Sequence, residues 1–161
     1  MTERVPIYAA GMLIALLDRK AKAVHLHHGL ARTGHRAVVL GPVLAQVWRP
    51  RPTTVPALAQ ILEDCTVPQA RGAAPALRPV AAGQATCLAC ASPPDVADWQ
   101  RIGTILDAAA LPPKRRPDTV DALVALVAAR HGNAVIFTSD PADLTAYLDA
   151  LGARDVHTVP V

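Results

Sequence analysis

The feature that most limits the fold of this chain is the alternation of short apolar runs with helical stretches along its length. Val5 to Tyr8, Ala37 to Leu40, Cys65 to Val67, Ala134 to Phe137 and Val156 to Val159 read as strands. They are short and largely apolar, the pattern of strands covered on both faces rather than wet on one. Between them fall helices at Met12 to Lys20, His25 to Thr33, Val43 to Arg49, Val55 to Glu63, Val96 to Ala110, Thr119 to His131 and Ala142 to Leu151. Thr119 to His131 is the plainest, with Val120, Leu123, Val124 and Val127 on one face and Gly132-Asn133 as its stop. Thr53 and Thr54 are placed to cap the helix from Val55, with Pro56 tolerated in its first turn. Repetition of this kind predicts an α/β fold, a parallel sheet flanked by helices on both faces.

Size and composition bound the rest. A chain of 161 residues is expected to form a single domain over 1–161 with a proper core. Hydrophobic residues make up 52% and charged residues 18%, which excludes a disordered chain. Aromatics are only 3%, so the core is expected to be built from Ala, Val, Leu and Ile. No apolar run reaches the roughly 18 residues of a membrane span. The apolar stretch from Ala9 to Leu17 is short and lacks a preceding basic region, so a signal peptide is not expected and the cytoplasm is. A net charge of +3 permits a nucleic-acid partner without requiring one. The Pro- and Ala-rich stretch at about 69–94 shows no sustained period and reads as a loop or insertion. Its Cys87 and Cys90 have metal or redox spacing, but no second pair completes a zinc site, and two ordinary thiols are the plainer reading.

Carboxylates gather in two blocks near the C-terminus, Pro117-Asp118-Thr119-Val120-Asp121-Ala122 and Thr138-Ser139-Asp140-Pro141-Ala142-Asp143. In open α/β sheets ligands bind beyond the carboxyl ends of the strands. Asp118 and Asp121 open the helix leading into the Ala134 strand, Asp140 follows that strand, and Ala9 follows the first. If the first and fourth strands are neighbours, these positions converge. A carboxylate cluster repels itself unless a cation neutralises it, and Mg²⁺ suits hard oxygen ligands. Such a cation activates water and stabilises a phosphodiester under in-line attack. The spacings also fit helix capping: Asp118 as N-cap with Asp121 as its capping-box partner, and Asp140 as N-cap before Pro141, with Asp143 in the first turn.

Taken with Tyr8-Ala9-Ala10-Gly11-Met12-Leu13-Ile14-Ala15 and Pro42-Val43-Leu44-Ala45-Gln46-Val47-Trp48-Arg49, these blocks resemble the PIN-domain nucleases, and among them the VapC-type toxins. The resemblance covers most of the chain outside 69–94. It implies a PIN-like parallel sheet between helices and an Mg²⁺- or Mn²⁺-dependent endoribonuclease blocked by a partner antitoxin. Asp121 matches the third acid of that pattern, Asp140 the fourth, and Asp118 is an accessory acid, with Thr138 and Ser139 as polar support. Ala9 stands where the family carries its first aspartate, and Gln46 where it carries a glutamate. Gln46 can still hold a metal-bound water, whereas Ala9 has no ligand atom, so this chain is expected to be disabled. A naturally degenerate member and a single Asp→Ala exchange both account for Ala9, and the intact neighbours Gly11, Leu13, Ile14 and Ala15 favour the exchange. A non-catalytic module that binds an antitoxin or RNA is the alternative.

Further readings concern the surroundings. Arg49, Lys114, Arg115 and Arg116 are positioned to rim the site and contact RNA phosphates, or to sit on a solvated loop. His25, His27 and His28 read as surface histidines, and Trp48 and Trp99 as packing residues. The helices between Met12 and Thr33, with Leu13, Leu16, Leu17, Leu26 and Leu30, offer an apolar surface for an antitoxin or a second copy in a homodimer.

Overall fold

The computed structural model describes residues 4–68 and 93–161. Its elements run β1 (Val5–Tyr8), α1 (Ala10–Leu17), α2 (Ala21–Arg32), β2 (Ala37–Val38), α3 (Gly41–Val47), α4 (Thr54–Glu63), β3 (Cys65–Thr66), α5 (Val96–Ala108), α6 (Thr119–His131), β4 (Ala134–Thr138), α7 (Pro141–Leu151) and β5 (Val156–Pro160). The strands form one sheet in the order β3-β2-β1-β4-β5, parallel at every pairing. The architecture is therefore the α/β sheet that the strand–helix alternation predicts. β1 pairs with β4 over all of Val5–Tyr8, with Ile7 opposite Ile136 and Tyr8 opposite Phe137. The Cys87/Cys90 pair lies outside the described residues.

The chain steps outward from β1 to β2 and β3, then returns to β4 on the other side of β1 and continues to β5. Parallel crossovers are right-handed, so this reversal puts the outbound helices on one face and the returning helices on the other. The packing agrees: α1 lies against α2, α3 and α4, while α5, α6 and α7 lie against one another. Reversal of strand order opens a crevice at the carboxyl ends of the two central strands. Here that crevice falls between Tyr8 of β1 and Thr138 of β4.

Helix α6 shows why the two-faced sheet forms. Its apolar residues predict one buried stripe, yet every residue from Ala122 to Ala128 is buried. A helix apolar all round is a core helix, and α6 is clamped between the sheet and α5 and α7. Alanines at 122, 125 and 128 keep it thin enough for that position. The α6 and α7 helices end at Gly132 (φ 70°) and Gly152 (φ 68°), where the left-handed backbone favours glycine. Asp95 and Asp98 close a reciprocal capping box on α5, and Asp98 also receives Arg130 from α6.

Several expectations fail for tertiary reasons. Thr53 makes no side-chain cap, and α4 begins at Thr54. Leu13 and Leu16 are core residues, and Leu17, Leu26 and Leu30 pack against that core, so the face expected to meet a partner is largely consumed by the fold itself. Trp48 and Trp99 are exposed rather than packed. His27 is not a surface residue: it is 7% exposed, with Nδ1 3.0 Å from the Tyr8 hydroxyl and Nε2 3.7 Å from Asp64 Oδ2. Burial pushes the His27 imidazole down and the Tyr8 phenol up, so both are neutral at pH 7. Tyr8 then donates to Nδ1, and the proton on Nε2 faces Asp64. Among the described residues no helix is long and apolar enough to cross a membrane.

Candidate active site

Beyond the carboxyl ends of β1 and β4 lies a cavity of about 360 Å³ lined by Ala10, Gly11, Ile14, Gln46, Asp118, Asp121, Thr138, Ser139 and Asp140. Three loop-to-helix junctions and one residue of α3, Gln46, supply it: the junctions are the start of α1, the start of α6, and the turn from β4 into α7. The approach of α1 to that turn depends on Gly11. A Cβ there would sit 2.1 Å from Ser139 Oγ and 2.7 Å from the Ser139 backbone nitrogen. The backbone amide of Ala9 also donates to the Phe137 carbonyl at 3.1 Å, which ties the two strand ends together.

Each acid is held differently. Asp118 is a true N-cap: its Oδ1 accepts from the amides of Val120 at 2.7 Å and Asp121 at 3.1 Å. Its own amide donates to the buried Tyr147 hydroxyl at 2.9 Å, and its Oδ2 accepts from the Gln46 amide at 3.4 Å. The expected capping box is not closed, because the Asp118 amide is taken by Tyr147 and not by the Asp121 carboxylate. Asp121 is thus left to face its neighbours. Burial, then the charges of Asp118, Asp140 and Asp143, push its carboxyl up to about 6. A carboxyl group poised there exchanges protons near neutral pH.

Asp140 occupies the N-cap position of α7 but makes no side-chain cap. Its amide donates to Thr138 Oγ1 at 3.0 Å, a local turn that aims the residue. Its Oδ2 accepts from the Ser139 hydroxyl at 3.0 Å, and its Oδ1 takes Arg115 Nη2 at 2.6 Å. Capping therefore explains Asp118 and does not explain Asp121 or Asp140. Asp143, read from sequence only as a first-turn acid, is 8% exposed, and its Oδ1 is a buried oxygen without a hydrogen-bond partner among the described residues. Its Oδ2 is 3.8 Å from Arg115 Nε. The signal available in sequence was its place one helical turn after Asp140.

The structure brings Gln46, Asp118, Asp121, Thr138, Ser139 and Asp140 around one cavity. Ala9 does not line it: it is 1% exposed, the uncapped N-cap of α1 next to the lining residue Ala10. All four cations of the expected rim, Arg49, Lys114, Arg115 and Arg116, are exposed; Arg115 pairs with Asp140, and Arg49 donates to the Trp48 carbonyl. Among the described residues no group of three or more acids, histidines or cysteines is arranged to hold a metal. Ala9 offers no donor, one Asp118 oxygen is taken by helix amides, and Asp140 is already paired with a guanidinium. As they stand, these side chains do not fit a divalent cation, and no chemical step is assigned to one. Compared with family models, with curated proteins and with solved structures, the chain gives no match.

Proposed function

We propose that this chain is a PIN-like protein of the VapC type, built as an endoribonuclease and disabled by Ala9. The observation that carries the reading is the convergence of Asp118, Asp121, Asp140 and Asp143 at the switch point of the sheet, close enough that Asp121 is pushed up to about 6. Like charges are costly to assemble, and groups with perturbed pKa values in a cleft mark functional sites. Position 9 is the missing fifth anchor: its backbone starts α1 in the extended conformation of an N-cap, and a carboxylate there would reach the same end of the sheet. With it, Mg²⁺ or Mn²⁺ is the cation of choice, because the donors are hard oxygens. RNA is the proposed substrate, with Arg49, Lys114 and Arg116 as phosphate contacts, and the cytoplasm is its proposed location. A cognate antitoxin and a second copy of the chain are the proposed protein partners.

The test is RNA cleavage by Ala9→Asp with Mg²⁺ or Mn²⁺, with and without chelator. Cleavage is expected in the variant and absent in the unaltered chain. Further replacement of Asp121 or Asp140 by Asn should abolish it, since losing a metal ligand or its support costs one to two orders of magnitude or more. If Ala9→Asp binds the cation and leaves every RNA intact, the nuclease reading falls. A second reading then stands, favoured by the Arg115–Asp140 pair: a non-catalytic module that binds an antitoxin or RNA.

A further inference from the structure

One contributor to the mismatch between the acids and a metal is the Arg115–Asp140 pair. We propose that Arg115 is the built-in counter-ion of this cavity, holding the Asp140 carboxylate in place of a divalent cation and anchored from behind by Asp143. This inference shares its cavity with the nuclease reading but concerns cation binding alone.

Three observations carry it. First, Arg115 spans both acids, with Nη2 2.6 Å from Asp140 Oδ1 and Nε 3.8 Å from Asp143 Oδ2. Second, Asp143 is buried with Oδ1 lacking a partner among the described residues. A buried, under-satisfied carboxylate is costly, and the planar fork of a guanidinium is the group that satisfies both its oxygens. The Arg115 side chain is 52% exposed, and its Nε already lies 3.8 Å from Asp143 Oδ2 while Nη2 holds Asp140. Third, the residue before it, Lys114, sits at φ 68°, a left-handed backbone that is uncommon for a residue other than glycine. The loop is bent at the point where it delivers Arg115 to the acids.

Two positive groups cannot share one carboxylate cheaply. A divalent cation near Asp140 would repel the guanidinium, so Arg115 sets a threshold that any cation has to overcome. Asp143 gives the displaced side chain a place to go, which keeps a positive group beside the cavity.

Mn²⁺ titration by calorimetry on the full chain tests this. Arg115→Gln is expected to bind Mn²⁺ about tenfold more tightly than the unaltered chain, or better. Arg115→Lys keeps the charge and should stay within about threefold of the unaltered chain. Unchanged or weaker binding in a folded Arg115→Gln overturns the proposal. Should Arg115→Gln fail to fold, the Arg115 Nε–H resonance, identified by its loss in Arg115→Lys, is followed in Asp140→Asn and Asp143→Asn. A shift in both supports the bridge, and a signal indifferent to either overturns it. The outcomes separate from the nuclease reading. Tighter Mn²⁺ binding in Arg115→Gln with a silent Ala9→Asp removes the nuclease alone, and an active Ala9→Asp with no gain in Arg115→Gln removes the counter-ion alone.

Discussion

The Tyr8–His27–Asp64 cluster and the Asp118–Asp121–Asp140–Asp143 cluster both gather polar groups near the end of β1, but they are balanced differently. In the first, a neutral phenol meets a neutral imidazole, and the one charge, Asp64, is half exposed to water. Burial keeps Tyr8 and His27 uncharged, and their hydrogen bond satisfies them. In the second, several acids face one cavity, Asp121 is raised by burial and by its neighbours, and an oxygen of Asp143 is buried without a partner among the described residues. The first is what a fold does with polar groups it has to bury. The second is locally frustrated, and departures of this kind from local consistency are expected at functional or strained sites. Replacing Tyr8 should therefore destabilise the first cluster, whereas replacing Asp121, which caps nothing, should relax the second.

The largest effect is expected at the junction that makes the acidic cluster possible. Gly11→Ala puts a methyl group into Ser139, and one of the atoms it meets is backbone. Overpacking of this kind costs about 1–3 kcal/mol, and the upper end is expected in urea unfolding. A cost near zero would mean that α1 does not sit against the Thr138–Asp140 turn.

The next two changes have opposite signs, which is the sharpest contrast between the regions. Tyr8→Phe leaves His27 Nδ1 buried without its donor and should cost about 1–2 kcal/mol. Asp121→Asn removes a charge from the repelling cluster and should stabilise the fold at pH 7 by about 1–2 kcal/mol, a range discounted for its partial exposure. The sign follows from linkage. Asp121 is raised in the folded state, so its contribution is most favourable at acid pH and is lost as pH rises toward and through about 6. The gain from Asn should therefore vanish near pH 4. If both substitutions destabilise equally, the distinction between the two clusters is wrong.

The smallest expected effect is in the pH profile. His27 is lowered when folded, so the unfolded chain takes up its proton first and stability falls as pH drops below about 6.5. Asp121 pushes the other way over the same range. Thermal midpoints of Asp121→Asn should consequently fall more steeply between pH 7 and pH 5 than those of the unaltered chain. Parallel profiles would show that Asp121 carries no raised pKa.

Much of the scaffold was legible because it is local. The strand Val5–Tyr8 and the helix Thr119–His131 are visible in sequence with their observed bounds, since apolar runs and a Gly stop declare themselves over a few residues. The parallel sheet follows from the spacing of such segments. The errors arise where a partner is remote in sequence. His27 reads as a surface histidine because Tyr8 and Asp64, which bury it, lie 19 and 37 residues away. Arg115 reads as a rim cation because Asp140 is 25 residues distant. The capping box at Asp118–Asp121 is lost to Tyr147, a hydroxyl from another helix. Leu13 and Leu16 look like a docking face until α3 and α4 fold back over α1. The acids themselves are visible in sequence, but which of them cap and which repel depends on packing.

Direct titration of Asp121 by carboxyl-carbon NMR tests the central claim that these acids converge and repel. A midpoint of about 6 is expected in the unaltered chain, falling toward the ordinary aspartate range in Asp140→Asn. A midpoint near the usual aspartate value, unmoved by that substitution, would contradict it, because Asp121 would then not share its cavity with the other carboxylates.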